Sequence, residues 1–167
     1  MTRQLLVGLD AMEWDLVTRW AGEGKLPTFR RLMQQGTRAQ LAATSDLLPE
    51  TAWACLSTGV NPAKLERYFY VQYDPRTMGL RYLRDDVITR PRFWDYLSQA
   101  GVRVGVVDVP EIGLSRSLNG FQLANWGAHA ARTPTASTPP SLAGEVNLQI
   151  GRHPVGQWLP AKLSGGP

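Results

Sequence analysis

The chain has 167 residues, 43% hydrophobic and 19% charged, which is enough for one globular domain with its own core. Net charge is +4, and 15 of the 18 basic residues are arginines scattered along the chain, which leaves no basic stripe for nucleic acid. Cys55 is the single cysteine, so no disulfide closes within the chain, and no run approaches the roughly 20 apolar residues that span a membrane.

In chain order, "QLLVGLD" (4–10) is an apolar run closed by Gly and Asp, the pattern of a buried strand in a parallel sheet. Leu16, Val17 and Trp20 recur at helical spacing, with Gly22 and Gly24 as the stop. "LPTFRRLMQQG" predicts a second helix, opened by Pro27 and capped by Gly36. "TRAQLAATSDLL" (37–48) alternates weakly, as a strand does. "TAWACLSTGV" predicts a short helix ended by Gly59, with Cys55 at a core position, and "NPAK" a turn.

Between 66 and 84, aromatic and β-branched residues alternate around "DPRTMG", which predicts a hairpin outside the main sheet. "RPRFWDYLSQAG" (90–101) predicts an amphipathic helix started by Pro91, with Phe93, Trp94 and Leu97 facing inward and Gly101 as cap. "VRVGVVDVP" (102–110) is a second buried strand, and the order helix, glycine, strand is that of a βαβ unit. Farther on, "NGFQLANWGAHA" (119–130) predicts a short strand and a loop, and "RTPTASTPPS" (132–141) a loop or linker. The expected organisation is an α/β domain over 1–150 with an irregular tail at 151–167. The N-terminal apolar run is too short for a signal peptide, which leaves the cytoplasm as the default location.

Ligands of an open α/β sheet bind beyond the carboxyl ends of its strands. Asp10 and Asp108 stand at two such ends, although singly each reads first as a turn or helix-capping aspartate. His129 and His153 have no partner at metal-ligand spacing and read as surface residues, and neither nucleotide-binding glycine motif, G-x-x-x-x-G-K-[ST] or G-x-G-x-x-G, is present.

Several segments acquire meaning together. "LLVGLDAMEWDLVTRWAGEGKLPTFRRLMQQG", then "PETAWACLSTGVNPAK", then "RFWDYLSQAGVRVGVVDVP" resemble in order and spacing the type I phosphodiesterase/nucleotide pyrophosphatase branch of the alkaline phosphatase superfamily. The likeness covers 4–64 and again 92–110. It implies an alkaline-phosphatase-like α/β fold, a mostly parallel sheet with helices on both faces, incomplete here, with the aromatic hairpin inserted at about 66–84. It also implies metal-dependent hydrolysis of a small-molecule phosphoester or nucleotide, with no nucleic-acid or membrane partner. Two divalent metal ions, zinc in most members, would activate a hydroxyl nucleophile and stabilise an in-line transition state. By the resemblance Asp10 matches the first metal ligand and Thr51 the nucleophile, itself a metal ligand; substrate-binding residues are unassigned.

Three departures qualify the likeness. Counted back from Thr58-Gly59, the usual nucleophile position falls on Pro49; Thr51 takes the role if the helix begins later, and equally it caps that helix. The "HG" that often follows the "NP-K" turn is Leu65-Glu66, and the phosphate-binding asparagine of some members aligns with Tyr70. The remaining family ligands, an Asp with a nearby His, an Asp-His pair and a final His, have no counterpart. The chain is therefore expected to be an N-terminal part of the enzyme, not binding both metals alone and weakly active or inactive. The alternative is a non-catalytic α/β module derived from the same superfamily, using the hairpin as a binding or assembly surface.

Overall fold

The computed structural model describes residues 3–41, 51–66, 69, 71–82, 88, 90–110, 112–127 and 134–151. The chain divides into two compact units, Met1–Ala42 and Ala43–Pro167.

The first unit holds helices α1 (Trp14–Gly22) and α2 (Pro27–Gln35). Glu13 starts α1: its carboxylate accepts the N–H of Asp15 at 3.1 Å and of Leu16 at 2.6 Å, placing negative charge at the positive end of the helix. Val17 and Ala21, one turn apart, are its buried positions, whereas Trp20 is exposed. Gly24 reverses the chain at φ +78°, a conformation costly to residues with a Cβ, and Pro27 opens α2 where no N–H is needed.

The strand expected at 4–10 does not form. Residues 3–9 are irregular and pair with no strand among the described residues, and Leu5 is 89% exposed. The reason is physical: an apolar strand of a parallel sheet needs a ladder partner and cover on both faces, and the described part of this unit supplies only helices. Residues 37–41 likewise form no strand, and the rest of the strand expected there lies outside the described residues.

The second unit contains α3 (Ala52–Thr58), α4 (Pro62–Leu65), β1 (Val71–Asp74), β2 (Gly79–Tyr82), α5 (Phe93–Gln99), β3 (Val104–Val107), β4 (Gly120–Ala124), β5 (Ala136–Thr138) and α6 (Ser141–Gln149). The architecture is α/β. Strands β3 and β4 run parallel, Val104 opposite Gly120, and β5 adds antiparallel on the far side of β4. Gly120 is obligatory in that pairing: φ is +144°, and a Cβ would fall 1.9 Å from the Val104 carbonyl oxygen.

The core gathers Ala54 of α3, Ile88, Trp94 of α5, Val106 of β3 and Ile112 of the crossover, with Leu65, Val104, Val109 and Leu118 packed around them. Seven-residue α5 buries Trp94 alone, so Phe93 and Leu97, expected inward, stay partly exposed. Likewise β3 buries only Val106; Val107 stands on a face without cover among the described residues.

Polar groups fix the crossover between β3 and β4. Gln122 accepts the Ser115 N–H at 2.8 Å and donates to the Gly113 carbonyl at 3.2 Å, while Arg92 also reaches that carbonyl at 3.5 Å. The Trp94 indole N–H donates to Ser115 Oγ at 3.0 Å. At the start of α5 the Arg92 N–H donates to Asp95 Oδ2 at 2.7 Å, the backward half of a capping box. Burial pushes the Arg92 guanidinium pKa down, and the adjacent Asp95 carboxylate opposes it.

The segment read as a loop at 132–141 contains β5 and leads into α6. Ser137 joins the two: its hydroxyl donates to the Pro139 carbonyl at 2.8 Å and accepts the Ala143 N–H at 2.9 Å. In β1 and β2, an antiparallel pair with Tyr73 opposite Leu80, the usual facing is inverted. Gln72 and Asp74 are buried, and Tyr73 and Leu80 are exposed. Asp74 is held by Arg76, whose backbone N–H and Nε reach Oδ1 at 3.0 and 3.3 Å.

Ile112, 0% exposed, is expected to destabilise the chain by about 2–5 kcal/mol when changed to Ala. A urea midpoint that falls at unchanged slope checks this. Hydrogen bonds from Arg76 hold the Asp74 carboxyl below the usual carboxylate pKa. Its stabilisation is present above the unfolded pKa of about 4 and is lost as pH falls through the lower folded value. Arg76→Ala should raise the Asp74 titration midpoint toward an ordinary aspartate value, read by NMR.

Candidate active site

Asp10 follows the irregular 3–9 segment, in a turn, with an exposed side chain. The next residue, Ala11, has φ +50°, a left-handed conformation that a residue with a Cβ holds only at a cost. The backbone bends sharply beside the first candidate ligand.

Thr51 stands immediately before α3 with φ −87° and ψ −13°, already helical, and its side chain makes no capping hydrogen bond. It is 1% exposed, so the hydroxyl lies inside the fold. The far end of α3 is tied by hydroxyls: Ser57 and Thr58 both donate to the Ala54 carbonyl, at 3.0 and 2.7 Å. Gly59 then closes the helix at φ +68°. The "NPAK" turn is one turn of helix, with Asn61 Oδ1 accepting the Lys64 N–H at 3.0 Å and Pro62 at the first position.

Asp10 and Thr51 fall in different units. Pro49, Tyr70, His129 and His153 lie outside the described residues, and Cys55 is buried, as its helical position implied. No group of three or more His, Cys, Asp or Glu side chains able to hold a metal occurs among the described residues. Among them, too, no helix is long and apolar enough to cross a membrane.

Asp108 has a more developed setting than the sequence disclosed. It ends β3 at φ +51°, and its N–H donates to the Leu123 carbonyl at 2.8 Å. Its Oδ1 accepts the backbone N–H of Trp126, just beyond β4, at 2.9 Å. A Cβ at Gly127 would stand 2.3 Å from Asp108 Oδ2, so that position admits only glycine without displacement. Asn125, between β4 and this turn, is also left-handed at φ +58°. "NWG" directly after a strand was the available signal, but nothing in the sequence tied it to an aspartate 18 residues earlier.

Gly127→Ala should therefore push the Asp108 carboxylate away and release the Trp126 N–H. Hydrogen exchange at that amide is expected to accelerate about tenfold, the loss of roughly 1.5 kcal/mol of charge-assisted hydrogen bonding.

The type I phosphodiesterase/nucleotide pyrophosphatase family model matches residues 4–157, continuing past both segments that carried the resemblance. No curated protein and no solved structure matches the chain. The match spans the Asp10 turn, α3 and the β3–β4–β5 sheet in a single run, and the chain belongs to the type I phosphodiesterase/nucleotide pyrophosphatase family.

Proposed function

We propose that this protein is a metal-dependent hydrolase of phosphoesters or phosphodiesters, acting on small molecules of the nucleotide pyrophosphatase substrate class in the cytoplasm. The observation that carries this reading is the family match over 4–157, a span that includes both Asp10 and Thr51. The match also runs across the boundary between the two units, which supports reading them as parts of one domain; we take that domain as 1–150 and 151–167 as its tail. The parallel pairing of β3 and β4 supports a mostly parallel sheet with helices on both faces, to which the β1–β2 hairpin is an insertion.

Thr51 is the nucleophile in this reading. Its hydroxyl oxygen forms a bond to phosphorus, the group opposite leaves with the bonding pair and takes up the hydroxyl proton as an alcohol or phosphate, and water later cleaves the threonine ester, restoring the hydroxyl and releasing the phosphate. Asp10 is a metal ligand. Family members are generally metal-dependent, and the reading takes two divalent ions, zinc by resemblance. The described residues do not by themselves fit such a pair, since they gather no cluster of three ligating side chains. Together with the burial of Thr51, this supports weak activity, because the hydroxyl must be uncovered before it meets a substrate.

That same burial favours a second reading, a non-catalytic binding or assembly module. The inverted hairpin, with Tyr73, Met78 and Leu80 outward, would be its contact surface.

Turnover of bis(p-nitrophenyl) phosphate with and without added zinc separates the two. The hydrolase reading expects zinc-dependent release of p-nitrophenolate that falls at least about a hundredfold in Asp10→Ala and in Thr51→Ala, the scale of losing a nucleophile or an activating group. Turnover unchanged in both variants would overturn the assignment of those residues. No turnover with zinc would favour the binding module.

A further inference from the structure

Adjacent parallel strands β3 and β4 end in the same unusual way. Asp108 after β3 and Asn125 after β4 are both left-handed, at φ +51° and +58°. Glycine would take either conformation without cost, and strain of this kind concentrates where a fold holds a functional geometry. The turn beyond β4 is secured from both sides. Asp108 Oδ1 accepts the Trp126 N–H at 2.9 Å, and the Thr135 hydroxyl, leading into β5, donates to the Asn125 carbonyl at 2.9 Å. Gly127 lets the carboxylate lie against the backbone, since a Cβ there would meet Oδ2 at 2.3 Å. A charged oxygen is thus committed to one backbone amide across two strand ends, at the edge where open α/β sheets receive ligands.

We propose that Asp108 is a positioning residue for phosphoester binding: it locks the Asn125–Gly127 turn to the end of β3, and that turn forms one wall of a phosphoester-binding site at the ends of β3 and β4. This rests on the phosphoester reading above, but it concerns binding rather than turnover. Asp108 acts through the turn and does not itself meet the phosphate, which its negative charge would repel.

The test is a titration of the ¹⁵N-labelled full chain with adenosine monophosphate. The expected result is that the amides of Asp108, Asn125, Trp126 and Gly127 shift with the ligand. Asp108→Ala should weaken binding about tenfold, the size of one charge-assisted hydrogen bond. Asp108→Asn keeps an oxygen for the Trp126 N–H and should stay within about twofold of the parent. A merely structural role predicts no such split between two variants that both fold.

The inference is overturned if the nucleotide binds with those amides unmoved, if folded Asp108→Ala binds as the parent does, or if the nucleotide does not bind. The map of the unmodified chain decides the matter even if Asp108→Ala fails to fold. Zinc-dependent hydrolysis with unmoved amides would defeat only this inference. Shifted amides without hydrolysis would defeat only the hydrolase reading.

Discussion

Two side chains far apart in sequence, Gln122 of β4 and Arg92 at the start of α5, meet at the carbonyl of Gly113. The crossover from β3 to β4 returns over the sheet, so part of its backbone is buried and needs partners it cannot find in a ladder. Gln122, 1% exposed, supplies both a donor and an acceptor there, and Trp94 adds its indole N–H to Ser115 Oγ. With the crossover held, Ile112 enters the core beside Trp94 and Val106, and Gly120 starts β4 flush against Val104. Leaving any one of these buried polar groups unpaired costs on the order of 1–3 kcal/mol, more than most surface contacts return. The position of both strand ends, and of Asp108 between them, follows from this network.

Much of the fold was legible. Helix ends were marked by residues whose backbone roles are strong: Pro27 at a first position, and Gly59 in a left-handed cap. The β3 strand was visible in "VGVV". What escaped reading depended on groups far apart in sequence. Whether "QLLVGLD" becomes a strand turns on a ladder partner, which local pattern does not supply. Strand β5 was hidden in a Pro- and Ser-rich stretch, where Ser137, an ordinary loop residue by composition, links it to α6 through its hydroxyl. The inverted hairpin ran against alternation as a guide, since its covered face is polar and its single carboxylate, Asp74, is paired with Arg76.

The site was legible as order and spacing rather than as geometry. Asp10 and Thr51 were singled out because motif-like segments surround them, and the family match extends over both positions. Burial of Thr51 could not be read from a sequence that places it plausibly at a helix start. The strand-end lock between Asp108 and Trp126 was equally hidden, because it joins residues 18 apart through a backbone amide.

The most direct measurement is mass spectrometry of the acid-quenched chain after reaction with bis(p-nitrophenyl) phosphate and zinc. Attack by the Thr51 hydroxyl expels one p-nitrophenolate and leaves a p-nitrophenyl phosphoryl ester on that side chain. This ester is expected on the peptide containing Thr51 and is lost in Asp10→Ala. An unmodified Thr51, or an ester on another residue, would contradict it.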